Sequence, residues 1–180
     1  MYTISDIQFD GNLFQHATEC ILLLCETSTA FPIIPIPHAN LLAFIQVFPQ
    51  SQNCRTYIRN NPHPGHTLYA YEDNLYQWLR DGFDMSNNLR NLTVFCHADK
   101  QFYVQDWIDF YQQQLNGQTV GICIFEKLNE ELLLTGQKYI RSLRETFRHN
   151  VAIHNQLNEY FRNICNALEE LALQNAALLD

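Results

Sequence analysis

The sequence predicts an α/β protein, a three-layer and mostly parallel sheet with flanking helices, followed by a long C-terminal helix or helical hairpin. Three observations carry this. The runs Cys20-Ile21-Leu22-Leu23-Leu24-Cys25 and Leu92-Thr93-Val94-Phe95-Cys96, and the stretch with Val120, Ile122, Cys123 and Ile124, have strand length and little alternation, as strands buried on both faces do. Segments of helical period separate them, and such an order implies parallel crossovers. Residues 137–180 contain neither glycine nor proline and repeat apolar side chains at alternating steps of three and four.

Taken in order, residues 2–16 begin with an edge-strand pattern at Ile4, Ile7 and Phe9, and Asp10-Gly11-Asn12 turns into a short helical piece. The first buried strand, 20–25, follows. Pro32, Pro35 and Pro37 among Ile33, Ile34 and Ile36 exclude a helix or a central strand and leave an extended crossing that packs on the surface. Leu41, Leu42, Ile45 and Phe48 fall at helical spacing before Pro49, which predicts a helix over 39–48. Residues 55–58 and 68–71 read as short strands around the loop Asn60-Asn61-Pro62-His63-Pro64-Gly65-His66, an antiparallel addition to the sheet. Asp73 or Asn74 caps a helix through Leu75, Trp78 and Leu79, which Gly82 ends. After the strand at 92–96, Asp99 is the expected N-cap of a helix with Val104, Trp107, Ile108, Tyr111 and Leu115 on one face. A strand over 118–125 and a helix from Asn129 complete this part.

The C-terminal seam runs Ile140, Leu143, Phe147, Asn150, His154, Leu157, Phe161, Ile164, Leu168, Leu171, Asn175, Leu178, and nine of these twelve positions are apolar. An unbroken helix of this length would extend roughly 60 Å, beyond the width of a compact domain of this size. Asn150 and His154 interrupt the stripe, so a bend or a break between helices is expected there. The division is an α/β domain over 1–148 and a helical, coiled-coil-like segment over 149–180. Asn175 at a core position is a device that fixes coiled-coil register.

Composition narrows the function classes. The 180 residues are 47% hydrophobic with a net charge of −8, so nucleic acid and anionic lipid are not expected partners. Neither a leader pattern nor an apolar run of ~20 residues is present, and the expectation is a cytoplasmic protein with no membrane contact. The six cysteines form no C-x-x-C pair and read as small buried hydrophobes. Glycines at 11, 65, 82, 117, 121 and 136 make no phosphate-cradling loop, and no cofactor is expected.

Chemistry in an open α/β sheet sits beyond the carboxyl ends of the strands. That rule nominates Glu26, Thr27 and Ser28, then His97 and Asp99, then Glu126. Cys96 beside His97 is a nucleophile candidate, although neighbours on a strand point to opposite faces. His63 and His66, with His97 and Asp99, are the candidates for a metal, and the prolines and glycine of their loop explain it without one. Lys138, Arg141, Arg144 and Arg148 form a basic helix stripe, read as a solvated face. The stretch Arg80-Asp81-Gly82-Phe83-Asp84-Met85-Ser86-Asn87-Asn88 resembles a helix-to-strand segment in the N-terminal sensor region of apoptosis signal-regulating kinases. It covers nine of the 180 residues, and the resemblance implies a signalling scaffold of flavodoxin-like or TIR-like type, without the kinase domain.

The leading functional expectation is an intracellular interaction module, an adaptor or signalling scaffold. It would self-associate or bind a protein partner through Leu157, Phe161, Ile164, Leu168, Leu171, Asn175 and Leu178. The alternative is a small α/β enzyme, either a hydrolase or a base-exchange enzyme of TIR-like or nucleosidase-like kind, with its site at the carboxyl ends of the strands.

Overall fold

The computed structural model describes residues 1–15, 17–26, 33–82 and 88–177. Among these residues five strands, β1 (Glu19–Leu24), β2 (Ile45–Phe48), β3 (Gly65–Tyr71), β4 (Leu89–Cys96) and β5 (Val120–Ile124), pair in the order β2-β1-β3-β4-β5, every pair parallel. This is the strand order of flavodoxin-like doubly wound sheets, with its switch point between β1 and β3. Around the sheet lie α1 (Gly11–Phe14), α2 (Ser51–Asn60), α3 (Glu72–Arg80), α4 (Gln101–Phe110), α5 (Phe125–Thr146) and α6 (Val151–Ala177).

The period of two along each strand divides the sheet side chains between two cores. Leu22, Leu24, Leu68, Ala70, Leu92, Val94 and Cys96 face α2, α3 and α4, meeting Cys54, Ile58, Leu75, Trp78, Val104 and Trp107. Ile21, Leu23, Tyr69, Tyr71, Phe95 and Cys123 face the other way, toward α5, α6 and the segment 34–44. On this second face the β1-to-β2 connection contains only a 3-10 turn, Ala39–Leu41, among its described residues. In a doubly wound sheet a full helix belongs there.

α6 lies in that layer. Leu157, Ile164 and Ala167 are buried in the same core as the sheet residues, and Phe161, Leu168 and Leu171 pack on it. Tyr160 ties the helix to the connection: its hydroxyl accepts from the Ala43 amide at 3.1 Å and its ring meets Phe14 edge-on at 5.8 Å. Burying side chains such as Leu157 and Ile164 contributes about 1.5–3 kcal/mol each. The two polar interruptions of the seam form the joint between the helices. Asn150 Oδ1 accepts from the Ile153 amide at 3.2 Å, capping α6, and His154 Nδ1 donates to the Arg144 carbonyl at 3.2 Å near the end of α5. The basic stripe is partly taken up as well, because the Arg144 guanidinium stands 4.7 Å from the Phe161 ring centroid and donates to Asn158 Oδ1.

Several sequence expectations need correction. Residues 39–48 are not a helix: after the 3-10 turn, Ile45–Phe48 pairs with β1 as an edge strand. Pairing with β1 overrides a helical spacing read over a window of only ten residues. Residues 55–58 are helical, within α2, because Cys54 and Ile58 lie one turn apart and both face the core. No antiparallel hairpin forms over 55–71, since β3 pairs in parallel with β1 and β4. Asp99 is not a cap; it lies inside the 3-10 turn Ala98–Lys100 that precedes α4. α5 begins at Phe125, directly after β5, rather than at Asn129.

Gly136 marks the closest approach of α5 to its neighbours. A Cβ there would lie 2.5 Å from Phe44 Cζ and 3.2 Å from Ile164 Cδ1. Gly136→Ala in an open helix would gain about 1 kcal/mol from helix propensity. Here it should instead lower stability by about 1–3 kcal/mol, the usual range for overpacking; a chemical denaturation midpoint at or above that of the native protein would contradict this packing.

Candidate functional site

The carboxyl edge of the sheet carries the side chains that the strand-end rule nominates. β4 ends at Cys96, whose thiol is buried among α3 and α4 residues, and the next residue, His97, lies against the Phe125 ring with centroids 4.3 Å apart. α5 starts at the end of β5 without a loop, which places Glu126 and Lys127 in its first turn. The proline-containing segment crosses above them. Ile34 and Ile36 are buried beneath it, while Ile33, Pro35 and Pro37 are exposed. It is fixed by Ile36 N donating to the Tyr2 carbonyl, and by His38, whose amide donates to Asn129 Oδ1 at 3.1 Å and whose Nδ1 accepts from Asn129 Nδ2 at 3.0 Å.

Together these elements enclose a cavity of about 400 Å³. His97 and Phe125 line it from the sheet side, Ile33, Pro35 and Pro37 from the crossing segment, and Glu126, Lys127, Asn129 and Glu130 from α5. Leu171 and Asn175 of α6 close the remaining side. The walls combine apolar and aromatic side chains with convergent polar and charged ones, a mixture that a small-molecule site requires.

An ion pair with one buried partner stands close enough to His97 for the two to interact electrostatically. Glu72, at the start of α3 after β3, has a side chain only 2% exposed, and Lys100 Nζ approaches its Oε1 at 2.8 Å. Burial raises the Glu72 carboxyl above its ordinary value, against the opposing pull of Lys100. Burial, reinforced by the Glu72 charge, pushes the Cys96 thiol up to about 11. Cys96 is therefore a protonated core thiol at neutral pH and not an activated nucleophile.

Of the nominated residues, then, His97 and Glu126 share one cavity. Glu26 does not join them: its Oε1 accepts from the Ser51 amide at 2.6 Å at the start of α2, and its own amide donates to Asn74 Oδ1. Asp99 is exposed in its turn. His63 is exposed, whereas His66 is buried with Nε2 donating to the Asn61 carbonyl at 2.9 Å. Among the described residues no three His, Cys, Asp or Glu side chains gather as a metal site would require. Thr27, Ser28, Leu178 and residues 83–87 of the stretch 80–88 lie outside the described residues. The seam residues Leu157, Phe161, Ile164, Leu168 and Leu171 face the protein's own core rather than solvent, which corrects the expectation of an uncovered stripe. Asn175 is exposed, at the cavity.

Glu72 was missed by the sequence reading although the same strand-end rule applies to it. Reading 55–71 as a hairpin removed the carboxyl end of β3 from the edge where ligands bind. No protein-family model, no curated protein and no solved structure matches this chain. Among the described residues, no helix is long and apolar enough to cross a membrane.

The folded protein holds the Glu72 proton more tightly than the unfolded chain, in which the carboxyl keeps its ordinary value of 4.5. The Glu72 contribution to stability is thus complete below pH 4.5 and declines as the pH rises through the raised value. Urea unfolding at a series of pH values should show this decline in the native protein and lose it in Glu72→Gln; superimposable profiles would refute the assignment. Lys100→Met should cost about 1–3 kcal/mol near neutral pH, less than the loss of a fully buried partner, because Lys100 is 42% exposed.

Proposed function

We propose that the chain is a small α/β enzyme that acts hydrolytically on a nucleoside-like ligand in the strand-end cavity. The observation that carries this reading is the meeting of His97 and Glu126, from two different strand ends, on one cavity of ligand size. The aromatic contact of His97 with Phe125 and the proline walls suit a flat heterocycle. The carboxylates of Glu126 and Glu130 would accept from sugar hydroxyls or ring amines, and Lys127 would donate at the rim. An imidazole and a carboxylate on one cavity are the groups that transfer protons to and from water and a leaving group. In this scheme Glu126 activates the water, His97 protonates the departing base, and the Glu72–Lys100 pair sets the local field.

The competing reading, an adaptor associating through the C-terminal seam, would first have to separate α6 from α5 and from the core that Leu157 and Ile164 share. That requirement is why the cavity is preferred. Amide spectra of the full chain titrated separately with adenosine, guanosine, cytidine and uridine should show saturable shifts at residues 97, 125–130 and 171–175. Release of free base, followed by chromatography, should fall by about 10²-fold or more in His97→Ala and in Glu126→Gln. Shifts confined to other regions, or turnover unchanged in both variants, would overturn the proposal.

A further inference from the structure

A second cavity, of about 360 Å³, lies between the amino half of the sheet and α5. Its walls break the rule that a buried parallel sheet is apolar on both faces. On the α2–α4 side the strands present Leu22, Leu68, Leu92 and their apolar neighbours, with His66 at the amino end of β3 as a polar exception bonded to the Asn61 carbonyl. On the α5 side the carboxyl half is equally apolar, with Leu23, Tyr71, Phe95 and Cys123. The amino half of that same face carries Glu19, Thr67, Asn91 and Thr93: Thr67 is the register partner of Asn91, Thr93 that of Tyr69, and Glu19 lies two residues before Ile21, the β1 partner of Thr67. α5 answers with Glu131, Thr135, Lys138 and Ser142, spaced along one side of the helix and turned to the cavity.

These groups are held in place. Thr67 Oγ1 donates to Glu19 Oε1 at 3.2 Å and accepts from Asn91 Nδ2 at 3.3 Å, the Tyr69 and Thr135 hydroxyls meet at 2.6 Å, and Tyr139 donates to the Glu19 carbonyl at 3.0 Å. Beside Thr93 the edge strand has Gly121, where a Cβ would come 3.1 Å from the Thr93 hydroxyl, so the glycine leaves that hydroxyl room. The rim at Asn91, Lys138 and Ser142 is exposed, and the floor at Thr67 and Tyr69 is buried. A fixed polar floor under an open polar rim is a preorganised recognition surface.

We infer that this cleft binds a polyhydroxylated ligand of monosaccharide size, at a site separate from the strand-end cavity. Two carboxylates, Glu19 and Glu131, disfavour an anion, and Lys138 at the mouth disfavours a simple cation. Hydroxyls both donate and accept, which matches a lining that mixes hydroxyl, amide, carboxylate and ammonium groups. The volume falls near the lower end of the roughly 300–1,000 Å³ typical of ligand sites, enough for one sugar ring.

The test is an amide-spectrum titration of the full chain, separately with D-glucose, D-galactose, D-ribose and myo-inositol. At least one should produce saturable shifts at Thr67, Asn91, Thr93 and Gly121. Thr93→Val and Lys138→Met should each weaken it about ten-fold or more, as removal of a partner from a made hydrogen bond does. Ser142→Ala, at the exposed rim of the cleft, should also weaken it without affecting folding, and His97→Ala should leave it unchanged. The inference is overturned if none of the four compounds saturates, if the variants bind like the native protein, if putrescine or sulfate binds there in their place, or if His97→Ala abolishes the response.

Discussion

Leu157, Ile164 and Ala167 lie in the same core as Leu23, Tyr69 and Phe95, and the rest of the molecule depends on that contact. A doubly wound sheet needs helices on both faces, and in this chain the β1-to-β2 connection brings only a 3-10 turn to the second face among its described residues. α6, the last helix in the chain, packs against α5 and the connection and supplies the missing cover. Gly136 sets the depth of this packing, because only the absence of a side chain there admits Phe44 and Ile164 together.

The same helix shapes the chemistry at the carboxyl edge. Its far end brings Leu171 and Asn175 to the cavity that holds His97 and Glu126. α5 has a similar double role, with its first turn at the strand-end cavity and its middle over the polar half of the sheet. Both cavities thus border α5, and they open at opposite ends of the strands.

The buried strands and the break near Asn150 were legible because each rests on local pattern: continuous apolar runs in the first case, two adjacent polar seam positions in the second. The burial of the seam was not legible, and the reason lies in residues 39–48. Read as a helix, that stretch would itself have covered the second face, leaving α6 without a place in the core. As a strand, it leaves the layer open for α6. The site followed the same course. His97 and Glu126 could be named from the strand-end rule alone, whereas Glu72 was hidden by taking residues 55–58 for a strand. The extended proline crossing was legible, but its meeting with Phe125 and Asn129 in one cavity had no signal in sequence, since only the folded chain brings them together.

Amide hydrogen exchange of the full chain measures most directly whether α6 is part of the core. Amides from His154 to Leu168 should exchange only through global unfolding, with the same opening free energy as those of β1 and β3. Exchange of that helix at a far lower opening free energy, while the sheet amides stay protected, would contradict the structure's dependence on α6 and return the seam to the role of an association surface.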